Sequence, residues 1–323
     1  MRPACQFCGG SLVLGLKLSW KKGSFGCGTH DWIGVRYSMG SRGPTMELTP
    51  LYLEQTLELL RPLCAARGVM PVNMVQSALG KAARIGYIVP DSSPYIASLW
   101  GGYSAGRRQA EEDKPGTSRH QLPIRRFAAA AKWMCTMLEK ALKQKDFGSW
   151  ALRRTMADST SAALLNGGSL PTLSFDASPW GGGGILWQEG RAIQYTYFVW
   201  DDYSLSILKA KTGDHRGQTA FEFFTLLVCT ITFGKVLTET GACIRGDNLA
   251  ALNVSNDMAS TKPAMNAIAR ELAWRKIIYK WRYKLQHLPA EHNDKADALS
   301  RLTANPRRSL RHQNRISSCG VRG

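Results

Sequence analysis

The fold is decided by the stretch His287-Leu-Pro-Ala-Glu-His-Asn293-Asp-Lys-Ala-Asp297-Ala-Leu-Ser-Arg301. Asn and Asp are favoured residues at the N-cap of a helix. The segment from Asp294 to Leu302 is therefore predicted to be a helix capped by Asn293 or Asp294. Asp297 would lie in the first turns of that helix, where the helix dipole favours a negative charge. A carboxylate held in such a place can take part in a cation site.

The spacing of this stretch resembles the last active-site motif of ribonuclease H domains in the reverse transcriptases of retroelements. Those domains commonly end in His-x-Pro, four further residues, and Asn-x-x-Ala-Asp-x-Leu-Ser-Arg. Here His287, Pro289, Asn293 and Asp297 stand at the matching positions. If the resemblance extends upstream, three more carboxylates should precede this stretch in a fixed order and in defined local settings.

Three upstream acids meet that expectation. Asp176 ends a short apolar run before Gly181 to Gly184, and Glu222 lies among apolar residues that recur at helical spacing. Asp247 ends another apolar run and is followed by Asn248. Taken singly, these acids could be a turn residue, a helix-surface residue and part of a helix cap. The ordered set favours an α/β, ribonuclease H-like fold.

The spacing of apolar residues predicts the elements of this fold. Three strands that arrive as a meander, followed by helices that alternate with two more strands, indicate a mixed five-stranded sheet with helices on both faces. In the last strand, alternation places Trp281, Tyr283 and Leu285 on one buried face. The predicted strands cover residues 172–176, 183–188, 191–199, 242–247 and 281–287. The predicted helices cover residues 218–237, 248–257, 263–279 and 294–302.

Composition favours a nucleic-acid partner. The chain of 323 residues carries a net charge of +18, and its pI is about 9.8. Such a balance suits a polyanion, although a basic surface without function is the simpler alternative. Residues 274–284 also interleave aromatic side chains with Arg and Lys, a composition that suits contacts with phosphates and bases. The alternative is that these aromatic side chains belong to the core, and we prefer it.

Composition also bears on the environment of the protein. Eight Cys in a chain of this length do not indicate a disulfide framework. No stretch of about 18 uncharged apolar residues occurs, so no membrane span is predicted. The N-terminus lacks a secretory apolar region. We therefore expect an intracellular protein with reduced thiols, in the cytoplasm or the nucleus.

The N-terminal segment is predicted to form a β-hairpin. Two alternating runs within residues 11–37 flank a Lys-Gly turn. The elements Leu14-Gly-Leu16 and Trp32-Ile-Gly-Val35 resemble the end of a reverse-transcriptase palm. A zinc site formed by Cys5, Cys8, Cys27 and His30 is the alternative interpretation. The hairpin is favoured because Cys27 and His30 fall in its connection, where the family has no metal ligands.

The next segments are predicted to be helical. Residues 46–68 and 73–89 have helical periodicity, and Pro90 should end the second helix. The run from Val75 to Lys81, followed by Val89-Pro90, resembles the thumb and connection of retroelement reverse transcriptases. A small helical bundle without special function is the alternative. Residues 123–145 form a further predicted helix.

These observations divide the chain into six predicted parts. The parts are a palm-edge hairpin at 1–45, a thumb/connection-like helical region at 46–100, a linker or loop at 101–122, a connection helix and linker at 123–165, the ribonuclease H-like domain at 166–303, and a basic tail at 304–323. No Tyr-x-Asp-Asp turn occurs in the sequence, so polymerase activity is not expected. The chain resembles the C-terminal part of an LTR or DIRS-like retroelement polyprotein.

The resemblance implies a metal-dependent mechanism. Asp176 and Asp247 would be the central ligands of two Mg²⁺ ions, with Mn²⁺ as the alternative metal. Glu222 and Asp297 would each hold one ion from the side, and His287 would assist product release or proton transfer. The substrate would be the RNA strand of an RNA–DNA hybrid, and the rest of a reverse transcriptase is a further expected partner. The residues expected to contact nucleic acid are Ser178, Gly181, Gly182, Asn248, Asn293 and Arg301.

Three alternatives remain open at this level. The chain could be a degenerate copy of an element that binds nucleic acid without cutting it. It could instead be a connection-type domain used for assembly, or an integrase or transposase of related fold. The presence of all four acids disfavours the first two alternatives. The ending Asn293-Asp-Lys-Ala-Asp297-Ala-Leu-Ser-Arg301 favours ribonuclease H over the third.

Overall fold

A computed structural model of the chain describes residues 28–40, 43–65, 67–111, 120–155, 170–258, 260 and 262–302. The strands are β1 Thr29–Trp32, β2 Val35–Gly40, β3 Gly43–Leu48, β4 Val69–Pro71, β5 Gln121–Pro123, β6 Arg153–Thr155, β7 Thr172–Ser178, β8 Gly181–Gln188, β9 Arg191–Val199, β10 Ala242–Gly246 and β11 Tyr283–His287. The α-helices are α1 Pro50–Leu60, α2 Val72–Ile88, α3 Ser93–Glu111, α4 Ala128–Lys143, α5 Lys145–Ala151, α6 Asp202–Leu208, α7 Gln218–Thr232, α8 Gly234–Glu239, α9 Leu249–Asp257, α10 Pro263–Tyr279 and α11 Asp294–Ser300.

The larger sheet has the strand order β11-β10-β7-β8-β9. Strands β7, β8 and β9 form an antiparallel meander, and β10 lies parallel to both β7 and β11. Helix α7 packs on one face of β7 and β8, and α11 packs on the other. This arrangement confirms the ribonuclease H-like fold class that the sequence predicts, a mixed five-stranded sheet with flanking helices.

Most element boundaries in this half agree with the prediction, and two differences have clear causes. Strands β7 and β8 extend further, because Ser178 pairs with Gly181 and the whole glycine run joins the ladder. The predicted helix 218–237 is interrupted at Phe233, between α7 and α8. A Cβ at Gly234 would stand 3.0 Å from the Trp281 ring. The close approach of that ring therefore favours glycine at the break.

The N-terminal hairpin is placed differently from the prediction. Residues 11–27 lie outside the described residues, and the turn that joins β1 to β2 is formed by Ile33 and Gly34. Both have positive φ, as a two-residue hairpin turn of type I′ requires. The segment Trp32-Ile-Gly-Val35 therefore contains the end of β1, the turn and the start of β2 rather than one strand. Of the four residues considered for zinc, only His30 is described, and it is exposed in β1.

The prediction of a linker at 101–122 was wrong for residues 101–111, which continue helix α3. Residues 112–119 lie outside the described part of the chain. Glycine suggested a loop here, but Gly102 and Gly106 lie one helical turn apart and face neighbouring side chains. A Cβ at these positions would stand 3.1 Å from Phe127 and 3.0 Å from Leu122. The glycines therefore allow α3 to pack closely on the segment that follows.

Smaller corrections apply to the other helices of this half. The predicted helix 46–68 is α1 followed by the 3₁₀-helix Arg61–Cys64, because Pro62 cannot continue the α-helical hydrogen bonds. Helix α2 ends at Ile88 before Pro90, as expected, but helical structure resumes at Ser93. The predicted helix 123–145 begins later, at Ala128.

Both halves of the chain share one apolar core. Tyr95 stacks on Trp133, whose ring meets the edge of Trp274 in α10. The Lys276 Nζ lies 2.7 Å from a carboxylate oxygen of Asp91. The buried cluster runs continuously from β2 through the helices to β10 and β11. No helix in the described ranges is both long enough and apolar enough to cross a membrane.

Candidate active site

Three of the four predicted carboxylates meet at one place on the sheet. Asp176 lies in β7, and Asp247 directly follows β10, the parallel neighbour of β7. Glu222 reaches the same place from α7. One carboxylate oxygen of each residue lies within 4.8 Å of the others.

The alternation of β7 explains why its acid is available to the site. Leu173, Phe175 and Ala177 are buried with the apolar side chains of α7. Because successive side chains of a strand point to opposite faces, Asp176 points to the face that α11 covers. Its side chain is nevertheless only 4% exposed. The carboxylate therefore lies in a poorly solvated position.

Hydrogen bonds hold two of the three carboxylates. Ser300 Oγ donates to Asp176 Oδ2 over 2.8 Å. Gln218 Nε2 donates to Glu222 Oε1 over 3.0 Å and to the Ala177 carbonyl over 2.6 Å. The other oxygen of Glu222, Oε2, is buried and has no partner among the described residues. A buried carboxylate oxygen without a donor is costly unless a cation neutralises it.

Burial and the charges of neighbouring acids raise the pKa values of all three carboxyl groups of the cluster. Burial raises the pKa of Asp176 to about 7; the Ser300 hydrogen bond opposes this shift, and the charges of Asp247 and Asp297 add to it. Burial, followed by the charges of Asp176 and Asp247, raises the pKa of Glu222 well above its usual range. Burial also raises the pKa of Asp247. Like charges at such separations remain ionised together only with a cation between them.

The donor set fits a hard divalent cation. The candidate ligands are carboxylate oxygens, which Mg²⁺ and Mn²⁺ prefer over nitrogen or sulfur. The unpartnered Oε2 of Glu222 offers a free ligand atom beside the other two acids. The residues present are therefore chemically suited to the ion that the resemblance implies.

The fourth predicted acid stands apart from these three. Asp297 lies in the first turn of α11, as expected, but its Oδ1 accepts a hydrogen bond from Arg301 Nε over 2.7 Å. It does not belong to the group of three described above. Its charge still raises the pKa of both Asp176 and Asp247. The structure thus places Asp297 near the cluster and pairs it with a cation of its own helix.

The remaining predicted residues of the loop have distinct positions. His287 ends β11 and is exposed, and its charge lowers the pKa of Asp247. Asn293 is buried, and its Nδ2 donates to the Phe175 carbonyl over 2.9 Å. Asn248 caps α9 by accepting from the Ala251 backbone N–H. Asn293 therefore orders the loop, and its side chain makes no capping hydrogen bond to α11.

Four of the six residues that we expected to contact nucleic acid are buried: Asn293, described above, and Ser178, Gly181 and Gly182. Ser178 is 1% exposed, and its hydroxyl donates to the Ser300 carbonyl over 2.6 Å. A Cβ at Gly181 would stand 2.3 Å from the Phe198 carbonyl oxygen, and one at Gly182 would stand 2.3 Å from the Thr225 hydroxyl. Neighbouring protein atoms therefore fill the space that we assigned to substrate, and the expectation is corrected. Arg301 is exposed.

Two polar residues of the site escaped the sequence analysis. Gln218 precedes Glu222 by one helical turn, so its spacing could have indicated a side-chain contact. Ser300 belongs to the quoted motif, but its contact with Asp176 joins residues 124 positions apart. Local spacing carries no signal for a contact at that separation.

Comparison with known proteins gives structural neighbours only. No protein-family model matches the chain, and neither does any curated protein. Among solved structures, the neighbours include ribonucleases H1 and viral reverse transcriptases. LC11-RNase H1, isolated from compost, is 18% identical, with a TM-score of 0.32 over 41% of this chain and 92% of that one.

Two further neighbours cover different shares of the chain. RNase H1 from the halophilic archaeon Halobacterium salinarum is 17% identical, with a TM-score of 0.33 over 42% of this chain and 96% of that one. The foamy viral protease-reverse transcriptase in complex with an RNA/DNA hybrid is 13% identical, with a TM-score of 0.26. That match covers 81% of this chain and 30% of the viral one.

Proposed function

We propose that the protein is a metal-dependent ribonuclease H-type endonuclease that hydrolyses the RNA strand of RNA–DNA hybrids. We further propose that it represents the ribonuclease H part of a retroelement reverse transcriptase. The observation that carries the proposal is the convergence of two buried carboxylates, Asp176 and Glu222, with the half-buried Asp247, together with an unpartnered carboxylate oxygen. Such a cluster is electrostatically unfavourable without a cation, and a bound cation next to a phosphate suits phosphodiester hydrolysis.

The carboxylates have the role of holding the metal. Asp176, Glu222 and Asp247 would bind Mg²⁺, with Mn²⁺ as a substitute, and Asp297 would contribute after release from Arg301. When bound, the metal supplies Lewis-acid activation of water and neutralises charge on the phosphate. Burial of the cluster excludes competing water and strengthens each electrostatic contact. The imidazole of His287, which is exposed at the end of β11 and whose charge lowers the pKa of Asp247, would assist product release or proton transfer.

The net charge of +18 supports a polyanionic substrate. Specificity for the RNA strand would come from its 2′-hydroxyl groups and from the shape of the hybrid. Two of the structural neighbours, LC11-RNase H1 and the foamy viral protease-reverse transcriptase, were solved in complex with RNA/DNA hybrids.

The test is cleavage of an end-labelled RNA–DNA hybrid by the purified chain with Mg²⁺, beside an Asp176→Asn variant. The RNA strand alone should be cut, and both the variant and a chelator should abolish cutting. Duplex DNA and duplex RNA of the same sequence serve as substrate controls. Hybrid binding without any cutting by folded protein would favour the alternative of a degenerate, non-catalytic copy.

A further inference from the structure

Ser300 connects a candidate metal ligand with the helix that carries the fourth acid. Its side chain is 1% exposed, and Oγ lies 2.8 Å from Asp176 Oδ2. The same oxygen lies 2.9 Å from the Asp297 backbone carbonyl. The hydroxyl has one proton, and once Asp176 is ionised, as a metal ligand must be, its carboxylate is the stronger acceptor of that proton.

We propose that Ser300 is a positioning residue that fixes the rotation of the Asp176 carboxylate for metal binding. The inference rests on the proposed metal-dependent function. The terminal torsion of an Asp side chain is soft, so the carboxylate turns easily unless one oxygen is held. A donor on Oδ2 fixes that torsion and orders the Oδ1 atom before an ion arrives. Preorganised ligands bind more tightly because less ordering is needed on binding.

The packing around Ser300 keeps this donor in place. Asp176 pairs with Gly183 across the β7–β8 ladder. A Cβ at Gly183 would stand 2.5 Å from the Leu299 Cβ and 3.1 Å from the Ser300 backbone nitrogen. The missing side chain therefore lets α11 lie directly on the strand beside the carboxylate.

A second hydroxyl fixes the same residue from the strand side. Ser178 Oγ donates to the Ser300 carbonyl over 2.6 Å, and Ser178 is also 1% exposed. Ser178 thus helps to seat α11 but makes no described contact with the Asp176 carboxylate. Variants of the two serines can therefore separate the packing of α11 on the sheet from the orientation of the Asp176 carboxylate.

The experiment compares Mn²⁺ binding by the full chain, measured by electron paramagnetic resonance, for wild type, Ser300→Ala and Ser178→Ala. Both variants delete one buried hydroxyl that contacts the same stretch of helix. Ser300→Ala should bind its tightest Mn²⁺ about tenfold more weakly, which corresponds to about 1.4 kcal/mol. Ser178→Ala should stay within about twofold of wild type despite a similar loss of melting temperature. Ser300→Thr, which keeps the hydroxyl, should restore most of the affinity.

Each outcome decides between specific alternatives. Wild-type affinity in Ser300→Ala would overturn the positioning role and leave the proposed nuclease function intact. Equal weakening in both variants, in proportion to melting temperature, would also overturn it, because seating of the helix would then explain the effect. Absence of Mn²⁺ binding by the folded wild type would overturn the metal-dependent function itself. If Ser300→Ala does not fold, Ser300→Cys keeps a similar volume with a weak donor, and its affinity should fall below that of Ser300→Thr.

Discussion

Helices α7 and α11 cover opposite faces of β7 and are held there by different forces. Helix α7 has 15 residues and buries Phe221, Phe223 and Leu226 in the main core. Helix α11 has seven residues, and its Leu299 belongs to a separate small cluster with Ile185 and Leu302. Full burial of one large apolar side chain contributes about 1.5–3 kcal/mol. Burial of three such side chains therefore holds α7 more strongly than burial of Leu299 holds α11.

Polar contacts hold the short helix. Ser178 bonds the Ser300 carbonyl, Ser300 bonds Asp176, and Asn293 bonds the Phe175 carbonyl just before the helix. A net hydrogen bond contributes about 0.5–1.5 kcal/mol. Global stability should therefore depend mainly on α7, whereas fine adjustment of the site should depend on α11. Glu222 therefore lies on the helix that should determine stability, and Asp297 lies on the helix that should adjust the site.

The largest expected difference concerns those two acids. Glu222→Gln should lower the rate of hybrid cleavage about a thousandfold, because its buried oxygen belongs to the carboxylate cluster and metal ligation is worth several kcal/mol. Asp297→Asn should lower the rate by about ten- to a hundredfold, the range typical of supporting groups at metal sites. Initial rates at saturating Mg²⁺ provide the measurement. An equal or larger effect of Asp297→Asn would show that the fourth acid is a full ligand in the working enzyme.

The second prediction concerns pH in the absence of metal. The pKa of Asp176 is about 7 in the folded chain and 3.8 ordinarily. Between these values the folded chain keeps a proton that the unfolded chain has released, so stability should fall as pH rises from about 4 to about 7 and stay low above that. The contribution of Asp176 is at most ~4 kcal/mol. Melting temperatures in chelator measure it, and Mg²⁺ at pH 8 should recover the loss.

Three variants test whether the buried acids Asp176 and Glu222, rather than Asp297, cause this pH dependence. Asp176→Asn and Glu222→Gln should each flatten the dependence, because each removes a buried group with a raised pKa. Asp297→Asn should leave most of it in place, since its carboxylate is paired with Arg301. A melting temperature that rises with pH in chelator would contradict the assignment.

The third prediction uses two adjacent glycines of β8 that face the two helices. A Cβ at Gly184 would stand 2.4 Å from Cys229 Sγ in α7, and one at Gly183 would stand 2.5 Å from the Leu299 Cβ in α11. Overpacking typically costs about 1–3 kcal/mol. Gly184→Ala should show the larger fall in the free energy of unfolding, because α7 lies in the main core. Gly183→Ala should show the smaller fall but the larger loss of Mn²⁺ affinity.

Denaturant unfolding and Mn²⁺ titration of both variants provide the comparison. If the two variants lose free energy of unfolding and Mn²⁺ affinity in the same ratio, the proposal that α7 mainly determines stability and α11 mainly adjusts the site is wrong. Gly101→Ala serves as the control without a steric clash, since no atom outside its own helix lies within 4 Å of the added Cβ. Because alanine is favoured over glycine inside a helix, it should raise the free energy of unfolding by about 0.5–1 kcal/mol and leave Mn²⁺ affinity unchanged.

Helices α7 and α11 also show which features of the fold and the site can be predicted from the sequence alone. Motif spacing placed Asp176, Glu222 and Asp247 on a strand, a helix and a strand end, because each acid follows a clear apolar pattern. Periodicity also defined β9 and α10 with their observed bounds. These features depend on residues close to one another in the chain.

Features that depend on close packing were missed. The glycines at 181–184 suggested contact with substrate, and Gly102 and Gly106 suggested a linker. In both places glycine lies within a regular element, because a neighbouring element approaches where a Cβ would be. The pairing of Asp297 with Arg301 has the i,i+4 spacing of a helical ion pair and could have been predicted. The contact of Ser300 with Asp176 could not, because it forms only when α11 lies on β7.

The smallest expected effect tests whether that ion pair restrains the fourth acid. The side chains of Arg301 and Asp297 are 54% and 44% exposed, so their pairing should contribute no more than about 1 kcal/mol. Arg301→Gln should free Asp297 and strengthen the weaker Mn²⁺ binding step by up to about fivefold at low salt. The gain should shrink at high salt, because exposed charges are screened. Arg275→Gln, which breaks the equally spaced Arg275–Glu271 pair on α10, is the matched control and should leave Mn²⁺ binding unchanged. Weaker Mn²⁺ binding in Arg301→Gln would mean that Arg301 supports the site rather than competing with the ion for Asp297.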